Sequence, residues 1–249
     1  MTMDRRSVLG LGGSLAAAGV LLAPGWRLVA APANDKEAAA GEEKTKRYGM
    51  LIDVTKCAAG CTSCTTACRK ENNVPLFGDP KRDIHWIRRV ELHDKDKRKA
   101  PLNVPMLCNH CENPPCVHVC PTEASFIRKD GIVLVDMHRC IGCRYCMIAC
   151  PYKARSLVYH PTKFPEGGNP NVPIRAKGVV EKCTFCVHRV DAGKQPACVE
   201  ACQKEGKGGM IFGDLNDPNS EIAKTVRTVK TQTIRPDLGL KPHVYYQGL

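Results

Sequence analysis

At 249 residues the chain has length for one large domain or two small ones, yet aromatics make up only 5 % of it, which argues against a conventional large apolar core. Sixteen cysteines, about 6 % of the chain, set it apart from ordinary cytosolic enzymes and point to metal binding as a source of fold stability. The formal charge of +12 comes with no basic helix or base-stacking motif, so it does not carry a nucleic-acid reading.

Residues 1–33 read as a targeting segment. Asp4-Arg5-Arg6-Ser7 precedes an apolar run from Val8 to Ala23, and Ala31-Pro32-Ala33 or Val29-Ala30-Ala31 offers a small-residue cleavage site. The run is interrupted by glycine and falls short of the ~20 residues that a spanning helix needs. It resembles a twin-arginine signal, which implies export of a folded, cofactor-loaded protein to the periplasm. Asp4 and Gly10 depart from that motif, which prefers a hydroxyl residue and a lysine there. Residues 34–47 form a charged, alanine-rich linker, and the ordered domain is expected from Tyr48.

Tyr48 to Val54 reads as a strand entering the first cysteine group, Cys57, Cys61, Cys64 and Cys68. Its first gap has three residues where a ferredoxin run has two, and Gly60 can absorb the extra one with positive φ. A short helix is expected over Thr65 to Glu71. Ile84 to Leu92 reads as a strand with Ile84, Trp86 and Val90 on one face, followed by a charged turn at Asp94 to Lys99. The second group is Cys108, Cys111, Cys116 and Cys120, closed by Pro121. Ser125 to Ile127 and Ile132 to Val135 flank an Asp-Gly turn and form a hairpin.

The third group is Cys140, Cys143, Cys146 and Cys150 before Pro151. Its C-x2-C-x2-C-x3-C-P spacing is the run that holds cubane clusters in bacterial ferredoxins, with the fourth cysteine serving the neighbouring cluster. Ala154 to Tyr159 reads as the strand that follows a ferredoxin half, and 161–178 as a Pro/Gly loop. The fourth group is Cys183, Cys186, Cys198 and Cys202. Met210 to Phe212 reads as a strand. A helix capped by Ser220 or Asn219 runs to about Val229, and an extended tail reaches Tyr245-Tyr246.

Groups two and three end in Cys-Pro and flank one hairpin, whereas groups one and four lack the proline. The expected pairing is therefore two with three, and one with four around the outside. Exchanging each fourth cysteine gives four sets. Set 1 is Cys57, Cys61, Cys64 and Cys202. Set 2 is Cys108, Cys111, Cys116 and Cys150. Set 3 is Cys140, Cys143, Cys146 and Cys120. Set 4 is Cys183, Cys186, Cys198 and Cys68. Adjacent pairing, one with two and three with four, stays open at this point. Zinc sites and disulfides suit overlapping runs of four less well than clusters do. Four [4Fe–4S] clusters would also explain the charge: without the leader the chain carries about +10, and sixteen thiolates on four doubly positive cores bring it to about +2. His110 and His188 lie beside ligand positions that are already full, so they read as hydrogen-bond donors or surface residues. Tyr145 and Phe185 read as apolar shielding, and the third group as an internal relay point.

The four-group pattern, from Tyr48 to about Gly213, resembles the four-cluster electron-transfer subunits of membrane respiratory complexes, such as the beta subunits of polysulfide, tetrathionate and dimethyl-sulfoxide reductases and of formate dehydrogenase. The resemblance implies an α+β fold of two nested ferredoxin-like bis-[4Fe–4S] units over 48–215, with short strands, short helices and long loops, and a C-terminal helix and tail over 216–249. It implies an electron wire and not an enzyme, and no flavin, pterin or dinucleotide fingerprint is present. The leader, the Cys57-Ala58-Ala59-Gly60-Cys61 spacing and the closing segment from Arg235-Pro236-Asp237 to Gly248-Leu249 are similar to periplasmic subunits of the DsrO type, from the membrane complex (DsrMKJOP) linked to dissimilatory sulfite reduction. The implied partners are an integral membrane quinone-interacting subunit and a multihaem cytochrome c, with a molybdopterin catalytic subunit as the alternative.

Overall fold

The computed structural model describes residues 45–93 and 101–249, so the leader, most of the linker and the Asp94 to Lys99 turn lie outside the described residues. The first strand, β1 (Tyr48–Asp53), is apolar on both faces and is buried along nearly its whole length. A strand with no polar face must be covered from both sides, and here it lies inside a sheet. That sheet runs β8 (Met210–Asp214), β1, β10 (Val244–Gln247), β9 (Thr231–Gln232). β1 pairs antiparallel with β8, placing Met50 opposite Phe212, and parallel with β10, placing Met50 opposite Val244. The tail is therefore part of the main sheet, and the boundary expected near 216 separates nothing in the fold. Arg47, read as the last residue of the linker, is hydrogen-bonded to this sheet. Arg47 N–H donates to Asp214 Oδ1 at 2.8 Å, and the Arg47 carbonyl accepts from Leu215 N–H at 2.7 Å.

The described residues also form three two-stranded ladders: β2 (Arg88–Leu92) with β3 (Leu102–Met106), β4 (Ser125–Ile127) with β5 (Val133–Val135), and β6 (Ser156–Leu157) with β7 (Val180–Glu181). The hairpin around Asp130-Gly131 forms as expected. The strand expected from Ile84 begins only at Arg88, and Ile84 and Trp86 are buried in irregular backbone ahead of it. The strand expected over Ala154 to Tyr159 shrinks to two residues. Residues 161–178 are a loop tied to the fold by Asn73, whose side-chain amide donates to the Asn169 carbonyl and accepts from the Asn169 N–H, each at 2.8 Å.

Among the described residues the helices are short. They are α1 (Ser63–Asn72), α2 (Pro115–His118), α3 (Tyr145–Ala149), α4 (Val187–Asp191), α5 (Ala197–Lys204) and α6 (Glu221–Thr228). Ser220 caps α6, with its Oγ accepting from Ala223 N–H, and Ile222 and Ala223 are buried beneath it. α1 packs on α5, and α2 packs on α3. In the larger of two apolar clusters Met50, Ile52, Val199, Met210 and Tyr246 mix with Cys64, Cys68, Cys108, Cys111, Cys150, Cys183 and Cys198, and a smaller one joins Cys116, Val133, Cys146 and Val180. Cysteine takes the interior positions that aromatics would fill elsewhere. Short helices and small sheets together make this an α+β architecture.

Candidate metal centres

One backbone device recurs in all four cysteine groups. The residue before the second cysteine has positive φ: Gly60 at 76°, His110 at 43°, Gly142 at 69° and Phe185 at 53°. A left-handed residue there turns the loop so that its cysteines face inward, and glycine adopts it without strain. Gly60 thus sits at the same place in group one as Gly142 does in group three. The extra residue lies upstream, at Ala58-Ala59, in a turn closed by Cys61 N–H on the Ala58 carbonyl at 3.2 Å. Gly142 has a second reason to be glycine, because a Cβ would stand 2.1 Å from the Gly178 carbonyl oxygen.

The cysteines come together across groups. Cys57, Cys61, Cys64 and Cys202 line one cavity with Lys56, Arg89 and Lys207 at its rim. Cys120, Cys140, Cys143 and Cys146 line another, beside Gly142, Arg144 and Val180. Cys108, Cys116 and Cys150 surround Cys111 closely enough to help push its thiol up to about 12, after the larger effect of burial. Burial, then Cys183, Cys198 and Cys186, hold the Cys68 thiol well above its ordinary value. These four groupings have the membership of sets 1, 3, 2 and 4. Cys68 and Cys64 ride on α1 while Cys198 and Cys202 ride on α5. The α1–α5 contact thereby joins groups one and four, and the α2–α3 contact joins groups two and three.

Each set adjoins the next. Cys68 and Cys198 feel Cys64 of set 1, Cys183 of set 4 feels Cys108 of set 2, and Arg155 is close to both Cys116 of set 2 and Cys146 of set 3. The order is 1–4–2–3. Sets 2 and 4 are wholly buried, whereas three cysteines of set 1 and three of set 3 are partly exposed. Group three therefore stands at an end of the row. Ile148 is 81 % and Tyr145 59 % exposed, so Tyr145 is not the buried residue that the shielding reading expected, and the stretch lies at the end of the row where an inner position was expected. Phe185 does shield: it is buried and stacks on His110 with ring centroids 3.7 Å apart, between groups two and four.

None of the sixteen cysteines is in a disulfide. Among the described residues no three His, Cys, Asp or Glu side chains converge on a point suited to one metal ion. A cube holds its thiolates on separate irons, further apart than the ligands of a single ion. Burial and crowding push the thiols up, Cys57 to about 11 and Cys64 and Cys183 to about 12. Thiolates packed this way need a cationic core among them, and the donor set fits iron–sulfur clusters. Several sulfurs also receive hydrogen bonds. Val180 N–H donates to Cys140 Sγ at 3.3 Å, Asn72 Nδ2 to Cys186 Sγ at 3.3 Å, and Arg155 Nη2 to Cys116 Sγ at 2.9 Å. Burial opposes it, yet hydrogen bonds from Ser125, Thr122 and Ala124 hold the Cys120 thiol below its ordinary value.

Among the described contacts His110 donates to no cysteine sulfur. Its Nδ1 accepts from Val133 N–H at 3.1 Å and its Nε2 is buried without a partner. His188 pairs with Glu71 at 2.8 Å on the half-buried side of α4. Asn72, Arg155 and Lys182 escaped the sequence reading. Local sequence offers little signal for them: Arg155 follows Lys153-Ala154 and Lys182 follows Glu181, so each reads as part of an ordinary charged stretch.

A family model described as a 4Fe–4S dicluster domain matches residues 101–162 and 171–215. The sequence is 45 % identical, over 99 % of its length and 98 % of the relative's, to the Hdr-like menaquinol oxidoreductase iron-sulfur subunit 1 of Archaeoglobus fulgidus. It is 42 % identical to a tetrathionate reductase subunit of Salmonella typhimurium, over 82 % of this sequence and 73 % of the relative. A polysulfide reductase chain of Wolinella succinogenes is 36 % identical over 80 % of this sequence and 93 % of its own length. The protein belongs to the family of 4Fe–4S iron–sulfur electron-transfer subunits that serve membrane-bound redox complexes.

Proposed function

We propose that the protein carries four [4Fe–4S] clusters, held by sets 1 to 4 in two nested ferredoxin-like units, and relays single electrons along the order 1–4–2–3. The grouping of the cysteines into four sets, two buried and two opening at the surface, is the observation that supports this reading. A wire needs its ends accessible to partners and its middle shielded from solvent. Bound clusters would each take up and release one electron; the protein spaces them, excludes water and donates hydrogen bonds to their thiolates.

The finer reading is a subunit of the DsrO type, exported folded through the twin-arginine leader and held at the periplasmic side of the membrane by its partners. Support comes from coverage. The menaquinol-oxidoreductase relative spans 99 % of this sequence, leader and tail included, whereas the tetrathionate and polysulfide reductase relatives span 82 % and 80 %. On this reading the partners are an integral membrane quinone-interacting subunit and a multihaem cytochrome c, in a sulfur-linked respiratory complex. Purification of the tagged protein from native membranes in mild detergent tests it. A membrane subunit and a haem protein should co-elute, and a quinol analogue should bleach the cluster absorption. Co-elution of a molybdopterin subunit would instead assign the protein to a reductase of the tetrathionate or polysulfide type. Replacing Arg5 and Arg6 by lysine should trap the protein in the cytoplasm, and continued export would reject the leader reading.

A further inference from the structure

Arg155 and Lys182 are 5 % and 2 % exposed, and among the described residues neither is paired with a carboxylate. Arg155 Nη1 donates to Ser125 Oγ at 2.7 Å and Nη2 to Cys116 Sγ at 2.9 Å, while Nε has no partner. Lys182 Nζ donates to the carbonyls of Val133 and, at 2.7 Å, of Cys183. Arg175 shows the contrast. It is also buried, but it faces Glu181 at 3.5 Å and lies over the Trp86 ring at 4.7 Å. A buried cation without a counter-ion is costly, so Arg155 and Lys182 require an anion that the polypeptide alone does not supply. The nearby anion-forming groups are the thiolates of set 2: Cys116 feels both cations, and Cys108 feels Arg155.

The other sets differ. Set 4 shares Lys182 at Cys183, but Cys186 there faces both Glu71 and Arg189; set 1 has Asp53 beside Cys57 and Arg89 beside Cys61, at a partly exposed site. Set 3 shares Arg155, but it opens at the surface, where water and salt weaken the attraction. Adding an electron makes a cluster site more negative, and a cation in a low-dielectric interior favours that form. We infer that Arg155 and Lys182 tune the site at Cys108, Cys111, Cys116 and Cys150 to the highest reduction potential of the four, making it the first to hold an electron. They are positioning and tuning residues, and no proton or ligand exchange is asked of them.

The inference rests on the four-cluster reading, and the test separates the two. The anaerobically purified full chain is titrated with dithionite and mediators while EPR follows each reduced cluster. The wild type should contain sixteen irons and show one midpoint above the others. Fewer irons would fail the four-cluster reading before any variant is measured. Arg155→Gln and Lys182→Gln keep a hydrogen-bonding head but remove the charge. Each should retain wild-type iron and sulfide and shift the highest midpoint negative, with the other three moving less, and Arg155→Lys should leave it in place. Unmoved midpoints in either glutamine variant overturn the inference, as does an equal shift in Arg155→Lys. Iron loss in the Arg155→Gln protein that Arg155→Lys fails to restore also overturns it, because the side chain would then be only structural.

Discussion

Gly60 and Gly142 hold the same left-handed turn, yet their surroundings differ in a way that separates two kinds of cost. A Cβ at Gly60 meets nothing within 4 Å, so Gly60→Ala carries only the left-handed backbone penalty, about 1–2 kcal/mol. A Cβ at Gly142 collides with the Gly178 carbonyl. Gly142→Ala should therefore release the loop that carries Cys140 and Cys143. Iron analysis with thermal unfolding checks this: near-full iron and a small drop in Tm for Gly60→Ala, and loss of about a quarter of the iron for Gly142→Ala. Cross-ligation predicts that Cys150→Ser damages the cluster at Cys108, Cys111 and Cys116. EPR damage confined to the cluster at Cys140, Cys143 and Cys146 would show the exchange to be wrong. At this scale the cysteine spacings made the four groups legible, while the pairing of the groups rested on the Cys-Pro endings of groups two and three. The cations Arg155 and Lys182 were not legible, since a buried charge reads as a surface residue until its burial is known.

The elements most dependent on partners are the shortest. α2, α3 and α4 have four or five residues, too few for a helix to stand alone, and no periodic pattern announces them. They exist where a cysteine loop is turned and packed, which is why the sequence shows the loops but not the helices. The eight-residue, capped α6 was legible from Ser220 and its apolar face, and β1 and β8 from their apolar runs. The tail was read as extended, but its place beside β1 depends on long-range pairing that local pattern does not carry. Tyr246 is buried there, and its hydroxyl donates to the Pro105 carbonyl at 3.1 Å. Tyr246→Phe should cost about 1 kcal/mol, whereas truncation after Leu240 removes an inner strand and should prevent accumulation of coloured protein.

The same tail carries a pH effect. His243 is buried and accepts from Arg47 Nε on its Nε2 at 2.9 Å. Burial first, then the Arg47 charge, pull it down to about 4. A histidine depressed in the folded state binds its proton more readily when unfolded. Its contribution is thus complete above the unfolded value near 6.5 and is lost as the pH falls toward 4. Between pH 7 and pH 5 the loss should be about 2 kcal/mol. The Tm of the wild type should fall over that interval by more than that of His243→Gln, and parallel curves would remove His243 as the cause.

In the whole molecule, cysteine takes the structural place of an aromatic core and the functional place of an active site at once. A contiguous row of buried and half-buried thiols fills the interior, with a cationic rim of Lys56, Arg89 and Lys207 at set 1 and exposed Ile148 and Tyr145 beside set 3. The two ends thus differ in chemistry, as two different partners would require. Iron and acid-labile sulfide per polypeptide, measured on protein purified without oxygen, test this dual role most directly. Sixteen of each are expected, with the visible absorption of [4Fe–4S] clusters that bleaches on reduction. A colourless protein, or one holding zinc or markedly fewer than sixteen irons, would contradict it.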